Sequence, residues 1–104
     1  MECDPTQSAY VAGKRGMDGL YRVLAKEIGE HGITVNQVAP GWLVTDKMPE
    51  DMGGSEEFIQ NVPLRRRGTA QDVADAVLFL ASDLAKFITG AFIPVTGGNI
   101  MPTI

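Results

Sequence analysis

Apolar residues recur at intervals of three and four through the first third of the chain, between residues 10 and 28. This spacing places them on one face of an α-helix that we expect to continue to about Glu30. Asp4 or Thr6 is the expected N-terminal cap, and Gly32 is the expected stop. The pattern therefore predicts a helix of about six turns near the start of the chain.

Two later runs are short, apolar and rich in β-branched or aromatic residues, which is the pattern of a strand. The first is Ile33–Ala39, which we expect Pro40–Gly41 to end. The second is Ala91–Val95, in which Pro94 indicates an edge strand because proline has no backbone N–H to donate. Together with the first helix, these runs predict an α/β fold.

Two further helices are expected between the strands. A short one, Glu56–Asn61 with Ser55 as its cap, follows a loop whose composition is typical of a mobile lid. A longer one starts after Thr69, which forms an approximate capping box with Asp72. The two strands and the helices between them make one crossover, so the strands should be parallel. Ligands collect at the carboxyl ends of parallel strands, and the loop Pro40–Asp46 is therefore the expected ligand site.

Length, composition and charge restrict the possible functions. At 104 residues, the chain is expected to form at most one small domain. The net charge of −4 argues against a nucleic-acid partner, and we expect the basic run Arg65–Arg67 to be solvated or locally paired. With Cys3 as its one cysteine and His31 as its one histidine, the chain has neither an internal disulfide nor a recognisable zinc motif. No signal-peptide pattern or membrane-length apolar run is present, so we expect a cytoplasmic protein with no membrane partner.

The stretch from Tyr10 to Lys14 carries the strongest candidate chemistry. On a helix, the four-residue spacing places the phenol and the ammonium on one face, one turn apart. The cation would stabilise the phenolate form of the tyrosine, which makes the pair a possible proton-transfer device. The same spacing also suits an exposed lysine beside a half-buried tyrosine, so the residues by themselves leave both interpretations open.

Two other features of the sequence have more than one interpretation. Gly13, Gly16 and Gly19 lie inside the long helix, where backbone N–H groups are already used, so they are not a phosphate-binding loop. Glycine destabilises helices, and the three therefore indicate a close approach by another backbone or a ligand, with tight helix packing as the favoured cause. Trp42 is either a core anchor or the wall of a pocket.

Several separated segments resemble the C-terminal half of a short-chain dehydrogenase/reductase, of the type that includes the 3-oxoacyl-carrier-protein reductases. The order and spacing of the segments, more than any one of them, carry the resemblance. It implies the C-terminal part of a Rossmann-type doubly wound parallel sheet: a long helix, a strand, a lid helix, a helix and an edge strand, without the N-terminal nucleotide-binding half. The matching segments are Ser8–Lys14, Ile33–Asn36, Val38–Asp46, Pro63–Leu64, Arg66, Gly68, Asp72–Ala74, Leu78–Ser82, Ile88–Gly90 and Gly97–Gly98.

This resemblance implies hydride transfer between NAD or NADP and a small-molecule carbonyl or alcohol substrate. Tyr10 resembles the catalytic acid/base of the family, and Lys14 resembles its electrostatic partner, which also binds the nicotinamide ribose. Further cofactor contacts are implied for Pro40, Gly41, the backbone of Leu43 and the hydroxyl of Thr45. The expected apolar wall for the substrate is formed by Trp42 and Met48, together with Met52 and Phe58.

The resemblance also implies that parts of the family's site are absent from these residues. The glycine-rich loop, the catalytic serine and the catalytic asparagine would all precede Met1. We therefore expect the isolated chain to be inactive, and to form a homo-oligomer or pair with a missing N-terminal half. Two functions follow: part of an oxidoreductase, or a non-catalytic truncated product that acts as an oligomerisation or interaction module.

Overall fold

The computed structural model describes residues 5–51 and 53–101, and these form two compact units. The first unit contains residues 1–37 and 86–91, and the second contains residues 38–85 and 92–104. Each unit is described by itself below.

The long helix of the first unit, α1, spans Ser8–Ile28, and a single 3₁₀ turn follows at Gly29–His31. Gly32 ends it in the left-handed conformation, with φ of 75°, which confirms the stop expected from the sequence. The expected cap is wrong for Thr6, because Gln7 occupies the N-cap position and makes no side-chain capping hydrogen bond. Asp4 lies outside the described residues.

The apolar residues of α1 divide between two faces. Its only buried residue is Ala25, and the half-buried positions lie three, four or seven residues apart, which are helical spacings, as the periodicity predicts. Leu20 and Val23 lie on the opposite side and are 62% and 53% exposed. Large apolar side chains on the second face are therefore left in contact with solvent. The half-buried positions are Val11, Asp18, Tyr21, Leu24 and Ile28.

One two-stranded sheet is made of β1, Gln37–Pro40, and β4, Phe92–Val95. The backbone N–H of Gln37 donates to the carbonyl of Ala91, and that of Gly41 donates to the carbonyl of Val95. Because both partners advance by four residues in the same direction, the strands are parallel, as predicted.

The first strand is shorter than the expected Ile33–Ala39, because before Gln37 the two segments are joined mainly through side chains, with one backbone hydrogen bond, from Gly90 to the carbonyl of Val35. The backbone N–H of Val35 donates to the hydroxyl of Thr89, 3.0 Å away. The Asn36 amide donates to the carbonyl of Ile88 and accepts from the backbone N–H of Ala91, both at 3.0 Å. These side-chain contacts join residues 35–36 to residues 88–91, which lead into β4. Regular strand pairing begins only at β1.

The second unit contains a further pair of two-residue strands that the sequence does not predict. They are β2, Leu43–Val44, and β3, Gly68–Thr69, and they pair in parallel with Leu43 opposite Gly68. Two-residue strands carry no periodicity of their own, so only their pairing reveals them.

The lid helix α2 spans Ser55–Gln60. The prediction that Ser55 is its N-cap is wrong by one residue. Gly54 takes the N-cap position with φ of 86°, a conformation that glycine adopts without the penalty of a side chain. Its carbonyl accepts the first helical hydrogen bond, from Phe58. Ser55 is the first helical residue and is buried.

The capping box at the start of α3, Ala70–Ala81, is confirmed. The hydroxyl of Thr69 accepts from the backbone N–H of Asp72 at 3.2 Å, and the Asp72 carboxylate accepts from the backbone N–H of Thr69 at 2.8 Å. The same carboxylate forms a salt bridge with Arg66 at 2.7 Å. A 3₁₀ turn at Asp83–Ala85 follows α3.

Few apolar residues of the described chain are fully buried. They are Ala25 in the first unit, and Val62 and Ala85 in the second. Val62 lies against Gly97, where a side chain at the glycine would come within 2.8 Å of it. The core of each unit is therefore small.

Candidate active site

In the first unit, α1 places Tyr10 and Lys14 on one face, as the four-residue spacing predicts. The ammonium nitrogen of Lys14 lies 5.6 Å from the centre of the Tyr10 ring, within the range of a cation–π interaction. Tyr10 is 59% exposed, so the alternative of a half-buried tyrosine does not describe it. The two side chains form a polar and accessible pair.

The hydrogen-bonding groups of this pair are available to a ligand. Tyr10 and Lys14 are both exposed to solvent. A phenol can donate one proton, and an ammonium can donate three hydrogen bonds. The pair can therefore give a proton to a ligand oxygen while a fixed positive charge stabilises the remaining phenolate.

In the second unit, the predicted cofactor and substrate residues form one continuous segment that begins at the end of β1. Pro40 is the last residue of that strand, and Gly41 follows it. A side chain at Gly41 would approach the backbone of Thr96 to 3.3 Å. This approach is tighter than ordinary van der Waals contact, so the neighbouring backbone favours glycine here without reference to any cofactor.

Trp42 contacts three other side chains. Its ring packs edge to face against Phe58, with centroids 5.0 Å apart. The guanidinium carbon of Arg67 lies 4.0 Å from the ring centre, and the indole N–H donates to the sulfur of Met48 at 3.1 Å. These contacts bring together Trp42, Met48 and Phe58, three of the residues expected to line the substrate site, whereas Met52 lies outside the described residues.

Leu43 and Thr45 are fixed through their backbones. Leu43 belongs to β2, and its carbonyl accepts from Arg67. Thr45 and Met48 exchange backbone hydrogen bonds of 3.0 and 3.1 Å, and the Thr45 hydroxyl accepts a further one from Met48. The segment therefore turns back on itself after β2.

Arg67 is the residue that the sequence prediction misses. Arg65 and Arg66 are locally paired, as expected, with the carbonyls of Gln60 and Val62 and with the carboxylate of Asp72. Arg67 is 4% exposed, and its guanidinium donates to the carbonyls of Leu43, Met48 and Pro49. No local spacing could indicate this role, because its acceptors lie 18 to 24 residues earlier in the chain.

A groove of about 590 Å³ also lies in the second unit, outside the predicted site. The salt bridge between Arg66 and Asp72 forms part of its wall, and Asp75 lies beside it. The other lining residues are apolar or glycine, apart from Thr96. No sequence feature indicates a ligand for this groove.

Across residues 5–51 and 53–101, no group of three or more acidic, histidine or cysteine side chains is arranged to hold a metal ion. No helix within those ranges has the length and apolar character needed to cross a membrane.

The sequence resemblance implies NAD or NADP, and the donors present fit such a group. The exposed Tyr10 hydroxyl and Lys14 ammonium suit a ribose and a carbonyl oxygen. In the other unit, Thr45 is exposed, and its hydroxyl hydrogen stays free to donate while its oxygen accepts from Met48.

Comparison with known proteins identifies close relatives. The family model described as "Enoyl-(Acyl carrier protein) reductase" matches residues 2–99. The 3-oxoacyl-(acyl-carrier-protein) reductase of Staphylococcus epidermidis is 45% identical over 101 residues, which cover 94% of this chain and 41% of that protein. The reductase of the same name from Pseudomonas aeruginosa is 46% identical over 98 residues, 91% of this chain and 39% of that protein. The chain therefore spans about two fifths of the length of these relatives.

Solved structures agree with this similarity. A blue fluorescent protein from a metagenomic library, solved in complex with NADPH, matches with a TM-score of 0.81 and 38% identity over 88% of this chain and 37% of its own. A Serratia marcescens short-chain dehydrogenase/reductase variant matches with a TM-score of 0.82 and 31% identity, over 94% of this chain and 41% of its own. The α/β architecture with parallel strands is therefore that of a Rossmann-type fold, as the sequence predicts.

Proposed function

The chain belongs to the short-chain dehydrogenase/reductase family, and we propose that it carries the proton-transfer part of an NAD(P)H-dependent reductase site. The substrate class is a carbonyl compound or the corresponding alcohol. Among carbonyl compounds, the 3-oxoacyl thioesters named in its relatives are the first candidates.

The arrangement of Tyr10 and Lys14 on α1 is the observation that carries this proposal. In the direction of reduction, the Tyr10 hydroxyl donates its proton to the substrate carbonyl oxygen, which becomes the alcohol oxygen. Tyr10 is left as a phenolate, and the ammonium of Lys14 stabilises that negative charge. In the reverse direction, the phenolate takes the proton from the alcohol.

The cofactor, when bound, supplies or accepts the hydride at the substrate carbon. Within the second unit, Pro40, Gly41, Leu43 and Thr45 are the residues that we propose as its contacts. NADPH is the favoured form, because one solved relative is in complex with it.

We propose that the 104 residues alone do not turn over NAD(P)H. The relatives extend well beyond the matched region, and the sequence has no glycine-rich loop between a strand and a helix N-terminus to hold a pyrophosphate. The 104-residue chain should therefore bind NADPH weakly, with no oxidation of it above background.

A chimera tests the enzyme proposal. The segment of the Staphylococcus epidermidis reductase that matches this chain would be replaced by residues 1–104, and NADPH oxidation would be measured with a 3-oxoacyl thioester. The proposal expects turnover. A folded chimera that binds NADPH but does not oxidise it with any carbonyl substrate would contradict the proposal.

A second candidate function is a non-catalytic oligomerisation or interaction module. The exposed Leu20 and Val23 on α1 favour it, because apolar side chains on one helix face are often covered by a partner. The chimera separates the two functions, since a module predicts assembly without NADPH oxidation. Homo-oligomerisation by itself is compatible with both.

A further inference from the structure

Arg67 is a buried cation, and in the described part of the chain it forms no salt bridge with a carboxylate. Burying a charge is costly unless its hydrogen-bonding groups are satisfied. The two terminal NH₂ groups instead donate to three backbone carbonyls, and the guanidinium lies over the face of Trp42, whereas the buried Nε has no hydrogen-bond partner among the described residues. These partners restrict the Arg67 side chain to one position in the structure.

The three carbonyls that accept from Arg67 lie near the two ends of one segment, residues 42–49. One comes from Leu43 in β2, and the others come from Met48 and Pro49, after the turn at Thr45. One NH₂ group of Arg67 donates to the carbonyls of both Leu43 and Met48. The guanidinium therefore links the two ends of the segment, which forms a loop around it. The bond to Met48 is 2.7 Å long, as is the bond to Pro49.

Apart from Arg67, few contacts attach residues 42–49 to other described residues of the second unit. β2 contributes only two residues of strand pairing. The hydrogen bonds between Thr45 and Met48 lie within the segment and do not attach it to another element. Among the described residues, Trp42 packs against Phe58 of α2, and the side chain of Leu43 lies close to Gly68.

We propose that Arg67 is a positioning residue that fixes the segment from Trp42 to Pro49, and with it the cofactor and substrate contacts of that segment. This role rests on the proposed function, because Trp42, Leu43, Thr45 and Met48 are the candidate contacts. The planar fork of arginine is essential to it: a lysine would keep the charge but could not span the carbonyls and stack on the indole at once.

The segment contains the only tryptophan of the protein, which makes the proposal measurable in the 104-residue chain. The test variants are Arg67→Lys and Arg67→Met. Arg65→Met is the matched control, because Arg65 donates to the carbonyls of Gln60 and Val62, outside the segment. The measurements are acrylamide quenching of tryptophan fluorescence, and amide hydrogen exchange across residues 43–49.

Both Arg67 variants should raise the acrylamide quenching constant by about two-fold or more, because the indole loses its cover and the loop opens locally. Exchange should become faster in residues 43–49, while α1 keeps its protection. Arg65→Met should leave both readouts at the wild-type values. Arg67→Lys keeps the proposal testable if Arg67→Met fails to fold.

The proposal is overturned if folded Arg67→Lys retains wild-type quenching and exchange in the segment. It is also overturned if protection falls equally over the whole chain, which is the result of a purely structural role. Neither measurement needs cofactor or turnover, so their outcome is independent of whether the proposed enzyme function is correct.

The link to the site is tested in the chimera with the Staphylococcus epidermidis reductase. Arg67→Lys should raise the KM for the 3-oxoacyl substrate by about five-fold, with a smaller change in kcat, because binding contacts are displaced while Tyr10 is untouched. Unchanged KM and kcat in an active chimera would disprove that link. A wild-type chimera that is inactive would instead count against the proposed function.

Discussion

At the scale of single residues, three consecutive arginines have three different environments. Arg65 has φ of 56° and donates to carbonyls at the end of α2. Arg66 forms a salt bridge with Asp72, and Arg67 is buried under Trp42. The pairing of Arg66 is of the local kind that the sequence analysis expected for this run. The burial of Arg67 depends on carbonyls far away in the chain, which no local pattern reveals.

The left-handed backbone of Arg65 leads to a prediction from a matched pair of variants. Arg65→Gly and Arg65→Ala both remove the guanidinium, so they differ only at the backbone. We expect the glycine variant to have the higher free energy of unfolding, by about 1 kcal/mol, because a Cβ is disfavoured at positive φ. Urea denaturation of the two chains measures the difference, and equal stabilities would contradict the left-handed conformation.

Asp72 predicts how stability changes in acid. Hydrogen bonds from Arg66, followed by those from Thr69, hold the pKa of its carboxyl well below the ordinary value of 3.8. A carboxyl whose pKa is lowered in the folded state stabilises the protein at pH values above its ordinary pKa. This stabilisation is lost progressively as the pH falls below that ordinary pKa. The free energy of unfolding should therefore decrease as the pH is lowered from about 4.

The variants Asp72→Asn and Arg66→Gln test this assignment. Urea denaturation at several pH values should give flatter profiles for both than for the wild type. Some acid sensitivity should remain, because hydrogen bonds from Gln37 and Arg22 also lower the pKa of Asp18. Profiles parallel to that of the wild type would show that the Asp72 contacts do not contribute.

At the scale of elements, the sequence could predict those features that depend on neighbouring residues. The left-handed Gly32, which ends the 3₁₀ turn after α1, and the capping box of α3 are of this kind. The late start of β1 does not depend on neighbouring residues, because the side chain of Asn36 forms hydrogen bonds with residues more than 50 positions away in the chain. The sequence does not predict β2 and β3 for the same reason, since each strand is defined only by its pairing with the other.

The glycines inside α1 provide the prediction at this scale. No atom of the described residues outside the helix backbone lies within 4 Å of the position of a side chain at Gly13, Gly16 or Gly19, so the expected close approach does not come from that part of the chain. Gly16→Ala should therefore raise the free energy of unfolding of the monomer, by about 1 kcal/mol. Urea denaturation at dilute protein concentration measures this, and a loss of stability would indicate that the glycine is in close contact.

At the scale of the whole molecule, small cores accompany large exposed apolar side chains. Leu20 is exposed in the first unit, and Leu78 and Leu84 are exposed in the second. The chain also spans only about two fifths of the length of its relatives. Surfaces of this kind favour association with another chain.

We therefore predict that the 104-residue chain self-associates through α1. Sedimentation velocity at tens of micromolar should detect dimers or larger species, and Leu20→Gln should shift the distribution towards the monomer. Lys26→Gln, at an exposed polar position of the same helix, is the control and should not change the distribution. A monodisperse wild-type monomer would contradict the prediction.

The central claim is that Tyr10 transfers the proton with the support of Lys14, and one measurement tests it most directly. In the chimera with the Staphylococcus epidermidis reductase, kcat for NADPH oxidation is compared between the wild type and Tyr10→Phe. We predict a fall of about 100-fold or more, while the Kd for NADPH changes far less, because only the proton donor is removed. A Tyr10→Phe chimera that retains wild-type kcat would contradict the account.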